Sequence, residues 1–358
     1  MRRALELARR ACPLPNPSVG AVFVRDGKIL GEGYHAFFGG KHAEIAALDD
    51  ALSRGHSLQG AELYVTLEPC VHFGKTPPCV YRLLSLGLQS VYVGVLDMNL
   101  LVSGKGVSML REHGVSASVG YFEEEITDFL KGYSHFLNSS RSFTILKNAV
   151  TLDGKITLKG SQQKYLSCRE ALEKVHFLRS CVDGIIVGVD TVIADDPQLT
   201  CRLSSGRNPL RIVLDTHLRS PLNAKVFADT HGIIFCGEGF DRERHDLLSK
   251  QVSEIVVCPL KDGHVDLHFV LQWLRSHGIA VVLVEGGKIL NTSLFSEGLV
   301  DKWIFDVAPL FGSHVDVSVV DREAFGDLFT LSENVELLSA EKVGVDTWME
   351  FLIRFHNV

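Results

Sequence analysis

Long hydrophobic runs are missing from this 358-residue chain. No apolar stretch approaches the roughly 18 residues that a helical membrane span needs, so no membrane partner is expected. Positive charge is also in short supply: 36 Lys and Arg stand against 43 Asp and Glu, a net charge of −7 with a pI of about 6.1. A nucleic-acid binder carries a basic footprint, and no nucleic-acid partner is expected here. Cysteine is thinly spread, with Cys12, Cys70, Cys79, Cys168, Cys181, Cys201, Cys236 and Cys258 along the whole chain. No secretory pattern precedes them, because Met1-Arg2-Arg3 leads directly into an amphipathic helix. Free thiols in a reducing, cytoplasmic setting are therefore expected. The chain opens inside a helical pattern, so a few residues are expected to precede it. Internal repeats, low-complexity tracts and a G-x-G-x-x-G fingerprint are absent as well, and nothing supports a Rossmann dinucleotide site. What remains is a globular composition, 46% hydrophobic and 22% charged, long enough for two domains.

Strand and helix signals alternate along the first part. Ala4, Leu5, Leu7, Ala8 and Ala11 follow a helical period up to Pro13, and Val19–Val24 and Ile29–Tyr34 flank the hairpin signal Asp26-Gly27. Helices are predicted over His42–Leu52, Pro78–Leu86 and Lys105–His113, and strands over Glu62–Thr66, Ser90–Val95 and Val115–Val119. A helical stretch, Glu123–Leu137, ends at the polar break Asn138-Ser139-Ser140-Arg141, where the domain boundary is placed, giving domains 1–140 and 141–358. Beyond it, strands are predicted over Phe143–Val150, Gly184–Val187, Leu210–Leu214, Gly232–Phe235, Glu254–Val257, Ala280–Val284 and Trp303–Ala308. Helices are predicted between them at Arg169–Arg179, Leu267–His277 and Lys288–Phe295. Both halves read as layered α/β domains.

The chemistry-bearing pattern lies in the first eighty residues. His42-Ala43-Glu44 is followed by a strand, then Thr66-Leu67-Glu68-Pro69-Cys70, then Cys79. Zinc deaminases of bases need three protein ligands, an open fourth position for water, and a carboxylate that moves protons without binding the metal. His42, Cys70 and Cys79 supply the ligands and Glu44 the carboxylate. A bare H-x-E is common; the ordered set with two cysteines is not. A structural zinc site would close with a fourth ligand, and no fourth Cys or His lies near Cys70 or Cys79 in sequence, save His72 in the intervening insert. The usual P-C-x-x-C spacing is replaced by eight residues between the cysteines, which bring His72, Lys75 and Thr76 beside the metal. Such a loop can hold a phosphate through a cation and backbone amides, or be a solvated turn.

These motifs, with Leu14-Pro15-Asn16-Pro17-Ser18-Val19-Gly20-Ala21-Val22 and Gly74-Lys75-Thr76-Pro77-Pro78-Cys79, resemble the bacterial bifunctional riboflavin-biosynthesis deaminase/reductases. The resemblance continues through Leu146-Lys147, Leu152-Asp153-Gly154-Lys155, Val187-Gly188-Val189-Asp190-Thr191-Val192, Ala194-Asp195-Asp196-Pro197, Leu199-Thr200-Cys201-Arg202 and Val284-Glu285-Gly286-Gly287. It implies a cytidine-deaminase-like α/β/α domain followed by a dihydrofolate-reductase-like α/β domain. The implied reactions are zinc-dependent deamination of 2,5-diamino-6-(5-phosphoribosylamino)pyrimidin-4(3H)-one and NADPH-dependent reduction of the ribosyl group to ribityl. The implied partners are this small phosphorylated pyrimidine and a second copy of the chain, in a homo-oligomeric dimer or tetramer.

The resemblance also assigns residues. Asn16 is expected on the pyrimidine, His72 and Lys75 on the phosphate in the deaminase site, and Asn99 as a further substrate contact there. The loop Asp97-Met98-Asn99-Leu100 lacks both prolines of the family's D-P-N-P, which lessens its expected rigidity. Lys147 and Asp195 are expected beside the ribose being reduced; Lys147 lies in an apolar run, where an unpaired ammonium would be costly to bury. Gln163, Arg179, Leu199, Arg202 and Glu285 are the expected substrate contacts of the reductase, Arg179 being readable also as a solvated helix residue. Ala149, Tyr165, Ser167, Asp190, Thr191, Asp195, Gly286 and Gly287 are the expected cofactor contacts. Tyr165 stands where the family has tryptophan, and Gly160-Ser161 reverses the usual order of small residues, so altered cofactor contacts are expected with binding retained. A second reading keeps the zinc site but gives it another base, nucleoside or RNA, with the C-terminal half as a binding module; a third makes the metal site purely structural.

Overall fold

In the computed structural model of the chain, Asp26 and Gly27 adopt φ values of 52° and 73°, the left-handed pair that a type I′ hairpin needs. They join strand β1 (Gly20–Arg25) to β2 (Lys28–Tyr34) in antiparallel register. Residues 11–15, 38, 72–77, 100–101, 131–132, 135–136, 138, 159–164, 204–205, 322–333 and 355–358 lie outside the described part of the structure, and all others are described. The chain divides into two units, Met1–Asn138 and Ser139–Val358.

In the first unit, β1 also pairs antiparallel with β3 (Glu62–Leu67), which continues in parallel into β4 (Ser90–Val95) and β5 (Ser116–Val119). The resulting sheet has the order β2-β1-β3-β4-β5. Helix α1 (Arg2–Ala8) stops three residues before its apolar period does. Helix α2 (Ala43–Ser53) lies on β2 at backbone contact distance. A Cβ added to Gly33 would sit 2.3 Å from the Ala47 nitrogen, so only glycine allows that approach. Ala43, Ala47 and Ala51 of α2 are buried with Leu63, Val65, Val91 and Val93 in one apolar core. Helices α3 (Cys79–Leu84), α4 (Lys105–Glu112) and α5 (Glu123–Phe129) complete the described part.

The second unit is built on a nine-stranded sheet. Its strands are β6 (Phe143–Thr151), β7 (Gly184–Gly188), β8 (Leu210–Leu214), β9 (Gly232–Cys236), β10 (Glu254–Val257), β13 (Val281–Val284), β14 (Lys302–Ala308), β15 (Val335–Val343) and β16 (Asp346–Ile353). A separate small hairpin pairs β11 (Leu260–Lys261) with β12 (His264–Val265). The order is β10-β9-β8-β7-β13-β6-β14-β16-β15, parallel from β10 to β14 and antiparallel at β16 and β15. Near-continuous apolar runs such as Val281–Val284 suit a parallel sheet covered on both faces. Helices α6 (Arg169–Cys181), α7 (Val189–Asp195), α8 (Arg242–Leu248), α9 (Leu267–Ser276) and α10 (Lys288–Ser296) follow in chain order.

The predicted strands of both halves are present, with ends shifted by a residue or two. The sequence reading did not include the β15–β16 hairpin, whose two-residue loop places Gly344 at φ 61°. Much of β15 faces solvent, which blurs the alternation of apolar and polar residues. The short helices α7 and α8 were also unforeseen. In an open parallel sheet, ligands gather at the carboxyl ends of the strands; here Gly188 ends β7 and Glu285 follows β13, with Lys147 of β6 next along from the Val284–Leu146 pair.

The close approach of α2 to β2 yields a direct test. Gly33→Ala should destabilise the first unit by about 1–3 kcal/mol through overpacking against the α2 backbone, measured by chemical denaturation; an unchanged midpoint would contradict this packing.

Candidate active site

His42 is the N-cap of α2, in extended conformation, and Cys79 is the first residue of α3 behind Pro78. Both helices therefore point their positive ends at one spot, and Cys70 reaches it from the turn after β3. The ligand atoms of His42, Cys70 and Cys79 all lie within 4.8 Å of one another. His42 Nδ1 stands 3.1 Å from Cys79 Sγ and 3.4 Å from Cys70 Sγ. A tetrahedral zinc with thiolate and imidazole ligands spaces them by about 3.6 Å, so the three residues fit a zinc ion with little adjustment.

Electrostatics at this spot favour thiolate chemistry. A hydrogen bond from the Cys79 thiol, then one from His42, hold the Cys70 thiol well below its usual range against the opposing effect of burial. Glu44, in the first turn of α2, is 4% exposed. Burial, and next the Cys70 charge, push its carboxyl up to about 7. A dication bound beside it opposes that rise, leaving a carboxyl able to take and return protons near neutral pH.

Two further groups shape this pocket. His35 Nδ1 lies 2.9 Å from the Lys41 carbonyl, so it carries the proton, and its Nε2 accepts from Asn16 Nδ2 at 3.0 Å. That chain fixes the Asn16 amide beside His42, whose ring meets His35 edge-on. Glu68 accepts backbone hydrogen bonds from Asp97, Gly104, Gly106 and Val107 at 2.7–3.2 Å. The Asn99 backbone N–H donates to Asp97 Oδ1 at 2.8 Å. The loop without its two prolines is thus pinned by carboxylates, although Leu100 lies outside the described residues. His72 and Lys75 also lie outside them.

In the second unit, Lys147 is 8% exposed on β6. Burial lowers its pKa, while Glu285 and then Asp306 oppose the fall. Arg179 on α6 donates to both carboxylate oxygens of Glu285, at 2.8 and 2.7 Å, and to the Thr200 carbonyl at 3.3 Å. Burial would raise the Glu285 carboxyl, but Arg179 and Lys147 hold it below the usual range. The alternative reading of Arg179 as a solvated helix residue fails: its side chain is 11% exposed. The segment it touches is pinned again by His176, whose Nδ1 accepts from the Arg202 amide at 2.9 Å. Leu199, in the same segment, is buried with φ 54°, and the Arg202 side chain is exposed and held by Gln198.

Thr191 and Gly287 face a cavity of about 740 Å³ shared with Gly188, Asp190, Arg219 and Lys288. Gly188 caps α7 and Gly287 caps α10, on neighbouring parallel strands. A Cβ on Gly188 would meet nothing within 4 Å, and one on Gly287 only Thr191 Oγ1 at 4.0 Å. Bare backbone at two helix starts, with Arg219 and Lys288 beside it, suits the phosphates of a dinucleotide such as NADPH. Arg219 also pairs with Asp190 at 2.7 Å. Ala149 is half-buried, Ser167 buried and Tyr165 48% exposed. Asp195, at the end of α7, is exposed. Gln163 and Gly160-Ser161 lie outside the described residues.

His35, Glu68, His176, Arg219 and Asp306 escaped the sequence reading. For Asp306 a signal was present, since it is a lone acid in the apolar run Trp303–Ala308, the same kind of signal that singled out Lys147.

The cytidine and deoxycytidylate deaminase zinc-binding region matches residues 1–95, and the RibD C-terminal domain matches residues 142–349. Fold and sites together define a zinc deaminase unit followed by a reductase unit. Relatives that carry the name riboflavin biosynthesis protein RibD span nearly the whole chain. That of Actinobacillus pleuropneumoniae is 34% identical over 358 residues, 99% of this chain and 94% of its own. That of Aquifex aeolicus is 39% identical over 312 residues, 86% of each chain. Among solved structures, Acinetobacter baumannii RibD (form 1) superposes with a TM-score of 0.76 at 30% identity, covering 99% of this chain and 98% of that one. A diaminohydroxyphosphoribosylaminopyrimidine deaminase/5-amino-6-(5-phosphoribosylamino)uracil reductase from Thermotoga maritima gives 0.75 at 34% identity, covering 99% and 97%. The chain belongs to the RibD family of bifunctional riboflavin-biosynthesis proteins.

The ligand geometry predicts about one zinc per chain. Metal analysis of Cys79→Ser should show most of it lost while the far-ultraviolet circular dichroism is kept; full zinc retention would mean that Cys79 is not a ligand.

Proposed function

We infer that the chain carries out two steps of riboflavin biosynthesis. It deaminates 2,5-diamino-6-(5-phosphoribosylamino)pyrimidin-4(3H)-one and then reduces the ribosyl side chain, giving 5-amino-6-(5-phosphoribitylamino)uracil. The observation that carries this reading is the presence in one chain of a buried Glu44 beside the His42, Cys70 and Cys79 cluster and a buried Lys147 beside the Glu285-Gly286-Gly287 edge. Small-molecule chemistry of this kind needs neither a basic face nor a membrane. The division of labour follows the two units, with deamination in Met1–Asn138 and reduction in Ser139–Val358.

Zinc held by His42, Cys70 and Cys79 supplies a Lewis acid that acidifies water, and NADPH supplies hydride. The chain's own groups do the rest. Glu44 takes the two protons of the attacking water in turn, passing the first to the ring nitrogen and the second, from the new hydroxyl, to the amine that departs as ammonia. Asn16, held by His35, accepts or donates at the pyrimidine edge, and Asn99 sits on the loop that Glu68 and Asp97 fix. His72 and Lys75 take the phosphate in this site.

In the reductase half, Lys147 presents its ammonium to the ribose oxygen that gains a proton as hydride reaches the neighbouring carbon. Glu285 and Arg179 hold each other, and Arg179 braces the segment that carries Leu199 and Arg202, the substrate side of the pocket together with Gln163. Thr191, Gly286 and Gly287, with Asp190, receive the cofactor phosphates and ribose, and Ala149, Tyr165 and Ser167 its nicotinamide half. Asp195 is assigned to the ribose being reduced.

None of the seven described cysteines is in a disulfide, and Cys70 and Cys79 are the zinc ligands; a cytoplasmic setting suits such a chain. Among the described residues no helix is long and apolar enough to cross a membrane. Leu337 and Leu338 on β15 are 55% and 42% exposed, and these apolar side chains on an edge strand support self-association through the reductase unit.

Glu44→Gln should keep zinc and lose deamination by about 10²–10⁴-fold, read by following ammonia release; undiminished turnover would remove Glu44 from the mechanism. Lys147→Ala should depress NADPH oxidation with the deaminated substrate while ammonia release continues. A folded Lys147→Ala protein that loses both activities would contradict the two-site division.

A further inference from the structure

Lys147 and Asp306 sit on neighbouring parallel strands whose register sets Lys147 opposite Ile304 and Ala149 opposite Asp306. Alternate residues share a face of a sheet, so Lys147 and Asp306 project from the same face, with Lys147 Nζ 3.9 Å from Asp306 Oδ2. Asp306 is completely buried. Among the described residues no hydrogen-bond donor meets either of its carboxylate oxygens. Burial raises the Asp306 carboxyl; Lys147, and after it Ser167, oppose the rise, while Asp346, itself bonded to the Cys168 backbone amide at 2.7 Å, adds to it. Lys147 is the cation that faces Asp306.

From the side of Lys147 the facing charges are Glu285 after β13, Asp306 on β14, Arg179 on α6 and Asp346 on β16. Glu285 is committed to Arg179 through two hydrogen bonds. With Glu285 shared between Arg179 and Lys147, Asp306 supplies Lys147 with a second, fully buried counter-charge. A separation of 3.9 Å preserves the attraction yet makes no hydrogen bond. Among the described residues, Asp306 thus anchors the charge without taking an ammonium proton.

We propose that Asp306 is a positioning residue of the reductase site, holding Lys147 as a charged ammonium aimed at the ribosyl group. The inference rests on the role given to Lys147 above. Burial draws the Lys147 proton off at lower pH, and the carboxylates oppose this. Removing the Asp306 charge removes part of that opposition, so Lys147 loses its proton at lower pH. Reduction that needs the ammonium must then fail earlier as pH rises.

The test is the pH dependence of reductase kcat/KM in Asp306→Asn, measured with the full-length chain, the deaminated substrate and NADPH. The alkaline limb should move down by about one to three units, with the deaminase profile unmoved. A rate lowered equally at every pH, with the limb in place, would overturn the proposal and leave Asp306 a packing residue. A second readout needs neither cofactor nor turnover. Lys147→Met strands a buried carboxylate and should lower the melting temperature, and adding Asp306→Asn should restore most of that loss. A double variant no more stable than the sum of the two single losses would also overturn it. Retained reduction in Lys147→Met refutes the role of Lys147 itself. An inactive Lys147→Met with an unshifted Asp306→Asn profile refutes only the pairing.

Discussion

Ionised groups held out of water cost several kcal/mol unless a partner meets them, and both halves of this chain are arranged around that requirement. Glu44, Glu68, Lys147, Asp306 and the Arg179–Glu285 pair are all largely shielded from solvent. Each is met by something the fold places there: the His42 imidazole and the Cys79 thiol, a set of backbone amides, or an opposite charge from another strand or helix. Remove the sheet edges that bring these partners together, and the same residues become liabilities.

The two units meet the requirement differently. In the first, short helices do much of the work, since α2 begins at His42 and α3 at Cys79, and each turns a helix start toward the ligands. Glycines on β1 and β2 let α1 and α2 close onto the sheet, which sets the depth of Glu44. In the second, five neighbouring strands run parallel from β8 to β14, and their carboxyl ends form one edge. Along it stand Gly188 and Gly287 with bare backbone, and Glu285 after β13, with Lys147 of β6 next along from the Val284–Leu146 pair.

Much of this was legible in the sequence wherever chemistry demands fixed residue types at short spacing. His42, Glu44, Cys70 and Cys79 are such a set, and Asp26-Gly27 announces its hairpin through the φ values that its residues tolerate. Lys147 was visible as a cation inside an apolar strand. Pairings across the fold were not. Arg179 and Glu285 lie 106 residues apart, and each was assigned to substrate without the other. Asp306 acquires its meaning only from the register of β6 against β14, which no local pattern encodes. The β15–β16 hairpin escaped because an edge strand wetted on both sides loses the alternation that reveals inner strands.

The most direct test of the whole account is one reaction followed by mass spectrometry: the full chain with zinc, NADPH and the un-deaminated pyrimidine ribosyl phosphate. The account predicts a product that is both deaminated and reduced, with the deaminated intermediate appearing first. A zinc-loaded, folded chain that leaves this substrate unchanged would contradict it.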